Sequence, residues 1–139
     1  MSTILIIDDE IVLKIMLKKI LSTANHNIIT ANTGSSALNF LAENRVDLVI
    51  TDLIMPEMDG LAFLKDLRAN KKSKDLPVIV LTGAGPRHMR DQARQLGANA
   101  ILTKPIGSKE LLKVIDQLLA ESAPTSEQEQ EKPRLGWVW

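Results

Sequence analysis

Three aspartates close two short apolar runs. Ile4-Leu5-Ile6-Ile7 stops at Asp8 and Asp9, and Leu48-Val49-Ile50-Thr51 stops at Asp52. An unpaired carboxylate is rarely tolerated inside a sheet, so these runs read as buried strands whose ends carry chemistry. If the two strands lie parallel and adjacent, the carboxylates converge, and their repulsion requires a shared cation. Oxygen ligands without histidine or cysteine select a hard ion such as magnesium. Two more runs end in a similar way: Pro77-Val78-Ile79-Val80-Leu81 finishes at Thr82, and Ala100-Ile101-Leu102-Thr103 at Lys104. Solvated charges often cap single strands, but four such ends in one chain form a pattern. A carboxylate, a divalent cation, a fixed ammonium and a hydroxyl together can accept a phosphoryl group. Asp52 is the expected nucleophile, flanked by the metal and by Lys104. Asp8 and Asp9 have no lysine opposite and suit metal ligation, while Thr82 can donate to a phosphoryl oxygen.

The elements that must position these groups are legible from periodicity. Candidate strands cover 3–8, 27–31, 47–52, 77–82 and 100–104, and amphipathic helices follow over about 10–22, 34–44, 60–70, 86–96 and 108–120. This strict alternation predicts an α/β fold, a doubly wound five-stranded parallel sheet in strand order 2-1-3-4-5, flavodoxin-like. In that order strands one and three are neighbours, and ligands bind beyond the carboxyl ends of the strands, where all these residues lie. With strands about 4.8 Å apart, Lys104 starts roughly 10 Å from Asp52, a gap its long stem can largely cover.

Bulk properties narrow the field. The 139 residues suit one domain with an appendage: 1–120 as the domain and 121–139 as a disordered polar tail. Zero formal net charge argues against direct nucleic-acid or membrane binding, and the absence of cysteine removes disulfides and thiol catalysis. Without a leader segment or a run of about 18 apolar residues, a cytoplasmic protein is expected. The tail is acidic up to Pro133 and then ends in Leu135-Gly136-Trp137-Val138-Trp139. This leaves no room for an output domain and suggests either a frayed terminus or a tethered docking peptide.

Asp8-Asp9-Glu10, then Asp52-Leu53-Ile54-Met55-Pro56-Glu57-Met58-Asp59-Gly60, then Thr82-Gly83 and Lys104-Pro105, resemble the receiver domain of two-component response regulators, of the stand-alone chemotaxis-regulator kind. The resemblance covers about residues 2–120. It implies that Asp52 takes a phosphoryl group from a histidine kinase or a histidine phosphotransfer protein and relays the signal to a downstream protein target. By the same resemblance Asp9, Asp52 and the Ile54 carbonyl bind Mg2+ directly, with Asp8 acting through water. Thr82, the Gly83 amide and Lys104 hold the phosphoryl oxygens, and the Lys104–Pro105 bond is cis. Such a protein is a phosphoacceptor rather than an enzyme proper, and a homodimer stays open.

Some positions depart from the family pattern. Ile101 stands where receivers commonly carry an aromatic, so the switch is expected to run through Gly83-Ala84-Gly85-Pro86 and the fourth helix, which has only a thin stripe of Met89, Ala93 and Leu96. Ile54 and Ala84 offer no group to orient an attacking water, which predicts slow self-dephosphorylation. On the first helix Leu13, Met16, Leu17, Ile20 and Leu21 form the expected core stripe, leaving Ile11 and Ile15 exposed for a phosphodonor's helices. His26 and His88 read as bystanders, and Arg87, Arg90 and Arg94 as a solvated face or an output surface. The competing reading is a phosphorylation-independent binding module on the same fold. A phosphatase would need a second aspartate where Ile54 stands, and a flavin carrier a hydroxyl-rich loop where Asp9-Glu10-Ile11 stand.

Overall fold

The chain alternates strand and helix five times in a computed structural model that describes residues 2–54, 59–83 and 87–122. The strands are β1 (Thr3–Ile7), β2 (Asn27–Ala31), β3 (Leu48–Thr51), β4 (Val78–Thr82) and β5 (Ala100–Thr103). The helices are α1 (Ile11–Ser22), α2 (Gly34–Glu43), α3 (Gly60–Ala69), α4 (Arg87–Gln95) and α5 (Ser108–Ser122). All pairings are parallel, and the sheet order is β2-β1-β3-β4-β5, as expected from the alternation. Several strands end one residue earlier than the apolar runs suggest, because Asp8, Asp52 and Lys104 stand just past the ladder.

Alternation along the strands divides the core in two. Ile4, Ile6, Leu48, Ile50, Ile79, Leu81 and Leu102 point to the face covered by α1 and α5, where Leu17, Leu21, Leu111 and Ile115 meet them. Leu5, Ile7, Val49, Val80 and Ile101 point to the other face and pack with Phe63, Leu64 and Leu67 of α3 and Ala93 of α4. Ile101 is thus a core residue. Helix α4 buries only Ala93 completely, in line with its thin stripe.

Local chemistry sets the helix starts. Thr33 and Ser36 exchange bonds in a capping box at α2, and Asp59 caps α3 by accepting from the Ala62 amide at 2.7 Å. Gly60 is required by close approach: a Cβ there would lie 2.4 Å from the Asp52 carbonyl oxygen. Its lack of a side chain lets α3 begin directly against the backbone of the expected nucleophile. The remaining residues of that loop, Met55 to Met58, lie outside the described residues.

Helix α1 differs from its sequence reading. Leu17 and Leu21 are buried and Leu13 and Ile20 half-buried, but Met16 is 53% exposed, beside Ile11 at 69%, Val12 at 70% and Ile15 at 62%. At 100° per residue, Met16 falls on the rim of the stripe centred on Leu13, Leu17 and Ile20, so the sheet does not reach it. Helix α5 also runs two residues past the expected boundary, through Glu121 and Ser122. The tail from Ala123 onward, and Ala84 to Pro86, lie outside the described residues.

A charged side chain with no expected role fastens the far end of the sheet. Arg68 of α3 donates from Nη1 to the carbonyls of Ser73, Lys74 and Leu76, and from Nη2 to the Gly97 carbonyl at 2.7 Å and Asn99 Oδ1 at 3.0 Å. Burial lowers its pKa, against which the charge of Asp75 acts. These five acceptors belong to the two loops that lead into β4 and β5.

Candidate functional site

Register brings the acidic residues together. Ile7 of β1 lies opposite Thr51 of β3, so Asp8 and Asp52, the next residue on each strand, emerge side by side. Asp8 is 3% exposed and Asp52 9%, both unusually buried for carboxylates. Each is pinned by backbone. Asp8 Oδ1 accepts from the Glu10 amide at 2.9 Å, and Asp52 Oδ1 from the Leu53 amide at 2.6 Å and the Ile54 amide at 3.4 Å.

Lys104 crosses from the end of β5 to meet them. Its Nζ donates to Asp52 Oδ2 at 3.0 Å, Asp8 Oδ2 at 3.2 Å and Glu10 Oε1 at 2.8 Å. Burial alone would depress the lysine pKa, but the hydrogen bonds to Glu10 and Asp52 and the charges of Asp52 and Asp8 outweigh it and hold the pKa above the ordinary value. The ammonium therefore stays charged at neutral pH. The Lys104–Pro105 bond is cis, and the Lys104 amide donates to the Thr82 carbonyl at 2.9 Å, which fixes the stem beside β4. Thr82 itself is buried, and its hydroxyl has no hydrogen-bond partner among the described residues. An orphaned buried hydroxyl costs about 1–3 kcal/mol, a penalty that an arriving oxyanion would relieve.

Carboxylate oxygens of Asp8, Glu10 and Asp52 lie within 4.8 Å of one another. Three carboxylates against one ammonium leave negative charge uncompensated, and a set made only of oxygens fits a hard dication such as Mg2+. Glu10 is the residue that sequence reasoning missed. It occupies the N-cap position of α1 without making a cap bond, because its carboxylate reaches Lys104 instead. The available signal was a third acid directly after Asp8-Asp9. Asp9, by contrast, is exposed and stands outside this cluster, as do Ile54, half exposed beside Asp52, and Gly83, which packs against the Lys104 stem. Neither histidine joins the acids: His26 sits half-buried in the turn after α1 and His88 is exposed on α4.

Burial is the main cause that raises the Asp8 pKa; the Glu10 amide and Lys104 oppose it, and the charge of Asp52 adds to it. A proton on Asp8 therefore favours the folded chain. The stability it contributes is fullest below the ordinary carboxylate range and declines as pH rises through the raised value. Asp8→Asn is expected to raise the midpoint of thermal unfolding in EDTA at pH 7 and to lose that advantage in acid. Calorimetry at two pH values checks this; an equal or lower midpoint at neutral pH contradicts it.

The chain matches the response regulator receiver domain family over residues 4–116. It is 35% identical to a probable chemotaxis protein CheY of Rhizobium etli over 114 residues, 81% of this chain and 88% of that protein. The transcriptional regulatory protein GlrR of Escherichia coli K12 is also 35% identical, over 125 residues, but the match takes in 90% of this chain and only 28% of GlrR. Among solved structures, the signal receiver domain of a histidine kinase from Syntrophus aciditrophicus superposes with a TM-score of 0.83 at 30% identity, covering 99% of this chain and 100% of that one. Fold, residue pattern and relatives agree: the chain belongs to the response regulator receiver domain family.

Proposed function

We propose that this chain is a phosphoacceptor that relays a signal: Asp52 takes a phosphoryl group from a histidine kinase or a histidine phosphotransfer protein, and the change is read by a downstream protein target. The observation that carries the reading is the convergence of Asp8, Asp52 and Lys104 within 3.2 Å contacts at the carboxyl end of the sheet. Asp8, Asp9, Asp52 and the Ile54 carbonyl would hold Mg2+, which when bound supplies a charge sink for the phosphoryl oxygens. The backbone amides of Leu53 and Ile54 fix Asp52 Oδ1 and so orient the carboxylate for attack on phosphorus, while the donor's nitrogen leaves with the bonding electron pair. Of the acids around Lys104, Glu10 is the exposed one, so it is the partner that the ammonium exchanges for phosphoryl oxygens. Thr82 and the Gly83 amide supply further donors.

The apolar surface of α1, close to this cleft, suits docking by the phosphodonor's helices. Among the described residues, no helix is long and apolar enough to cross a membrane, and the cytoplasm remains the proposed location.

Incubation with acetyl phosphate and Mg2+ should add one phosphoryl group to the intact mass, and EDTA should prevent it. With Ile54 two residues beyond Asp52, the adduct should then persist after the donor is removed. Unchanged mass, or labelling that survives removal of the metal, counts against the reading; rapid loss of the adduct counts against slow self-dephosphorylation alone.

A further inference from the structure

We propose that the carboxyl-terminal segment Leu135-Gly136-Trp137-Val138-Trp139 docks on the exposed apolar face of α1 in the same molecule, where it covers the surface a phosphodonor would need.

The face is unusual for this chain. Large apolar side chains more than half exposed number five among the described residues, and four of them, Ile11, Val12, Ile15 and Met16, share one side of α1. The fifth, Ile54, stands at the same end of the sheet. Contiguous apolar surface of this kind marks an interaction site rather than ordinary scatter.

Three properties point to the tail as the occupant. First, spacing agrees. Ile11 and Ile15, and likewise Val12 and Met16, are one helical turn apart, about 6 Å along the axis. In an extended segment Leu135, Trp137 and Trp139 fall on one side at intervals of about 6.6 Å, with Gly136 and Val138 opposite. Second, charge agrees. Helix α1 carries Lys14, Lys18 and Lys19 and no acidic residue, while the stretch leading to the tryptophans holds Glu121, Glu127, Glu129 and Glu131 against Lys132 and Arg134, and so stays net acidic. Lys18 and Lys19 are exposed beside the apolar face, in position to meet those glutamates. Third, the reach suffices. Helices α1 and α5 share one core cluster on the same face of the sheet. The 15 residues of α5 descend about 22 Å, and neighbouring helices lie about 8–10 Å apart, which puts the end of α5 roughly 20 Å from Ile15. Residues 123–134 span that distance as a relaxed coil of about 20 Å and extend to about 40 Å at most.

The contact does not depend on phosphoryl chemistry. Its consequence does: a donor helix that needs the same face must first displace the tail, so docking is weakened by the fraction of time the tail is bound.

The test uses the full chain. Its only tryptophans are Trp137 and Trp139, and it has no tyrosine, so intrinsic fluorescence reports the tail alone. The expected result is a blue-shifted emission, poorly quenched by acrylamide and unchanged on dilution. Ile15→Asp, and separately Val12→Asp, should shift it to the red and raise the quenching constant severalfold, whereas Asn39→Asp on the exposed side of α2 should leave it unchanged. Both α1 positions are exposed, so the variants are expected to fold, and circular dichroism checks that they do. Fully solvated emission in the wild type overturns the proposal, as does buried emission that ignores the α1 variants. Burial that is lost on dilution overturns it in favour of a second copy. None of these readouts requires phosphorylation, so the proposal and the phosphoacceptor reading fail independently.

Discussion

Asp52→Asn is expected to reduce phosphoryl incorporation from acetyl phosphate to background while the protein stays folded. The asparagine amide keeps the shape of the side chain and an oxygen to accept from the Leu53 amide, which now lies 2.6 Å from Asp52 Oδ1. It lacks the anionic oxygen that attacks phosphorus. Asp8 is the other fully buried carboxylate within reach of the lysine, and it is held by the Glu10 amide and desolvated toward its neutral form, so it is a poor substitute. Lys104→Ala should act differently. It keeps the nucleophile but leaves three carboxylates around a vacated ammonium position, and loss of one preorganised charge partner slows the transfer by about 10²-fold rather than abolishing it. Intact-mass time courses of the two variants and the wild type separate these outcomes. Labelling of Asp52→Asn at the wild-type rate places the acceptor elsewhere.

The contrast between those variants rests on features with unequal visibility in the sequence. The sheet was legible because buried parallel strands are continuous apolar runs, and each run here stops at a polar residue that marks the mouth of the sheet. Asp8, Asp52, Thr82 and Lys104 were legible for the same reason: strand order alone places them together, and the register from Ile7↔Thr51 to Thr82↔Thr103 realises it. Glu10 was not, because whether a residue at a helix N-cap turns toward the backbone or toward a distant lysine depends on where that lysine arrives from β5. Met16 was misplaced because helical periodicity gives an angle but not the width of the surface that covers it. In each case the pattern within an element was readable and the shape of the neighbouring element was not.

Arg68 is the extreme case, since its acceptors leave almost no trace in sequence: four of the five are backbone carbonyls. Arg68→Ala is expected to cost about 3 kcal/mol or more of stability and to lower the unfolding midpoint by roughly 10 °C. The loss arises from the carbonyls of Ser73, Leu76 and Gly97 left facing a gap and not from charge pairing, since the guanidinium is only half-buried. A lysine should not rescue it, because a single ammonium cannot serve the Leu76 carbonyl and the Gly97 carbonyl from opposite sides as a planar fork does. Gly97 is fitted to the arginine: its φ of +103 favours glycine, and a Cβ there would stand 2.8 Å from Arg68 Nε. The loops concerned enter β4 and β5 at their amino ends, while Asp52 and Lys104 stand at the carboxyl ends of the sheet. Below the unfolding midpoint, Arg68→Ala should therefore still take up phosphoryl groups, the reverse of Asp52→Asn. Urea denaturation and the mass assay on one preparation measure both properties; a stability loss under about 1 kcal/mol would show that the two loops hold without the arginine.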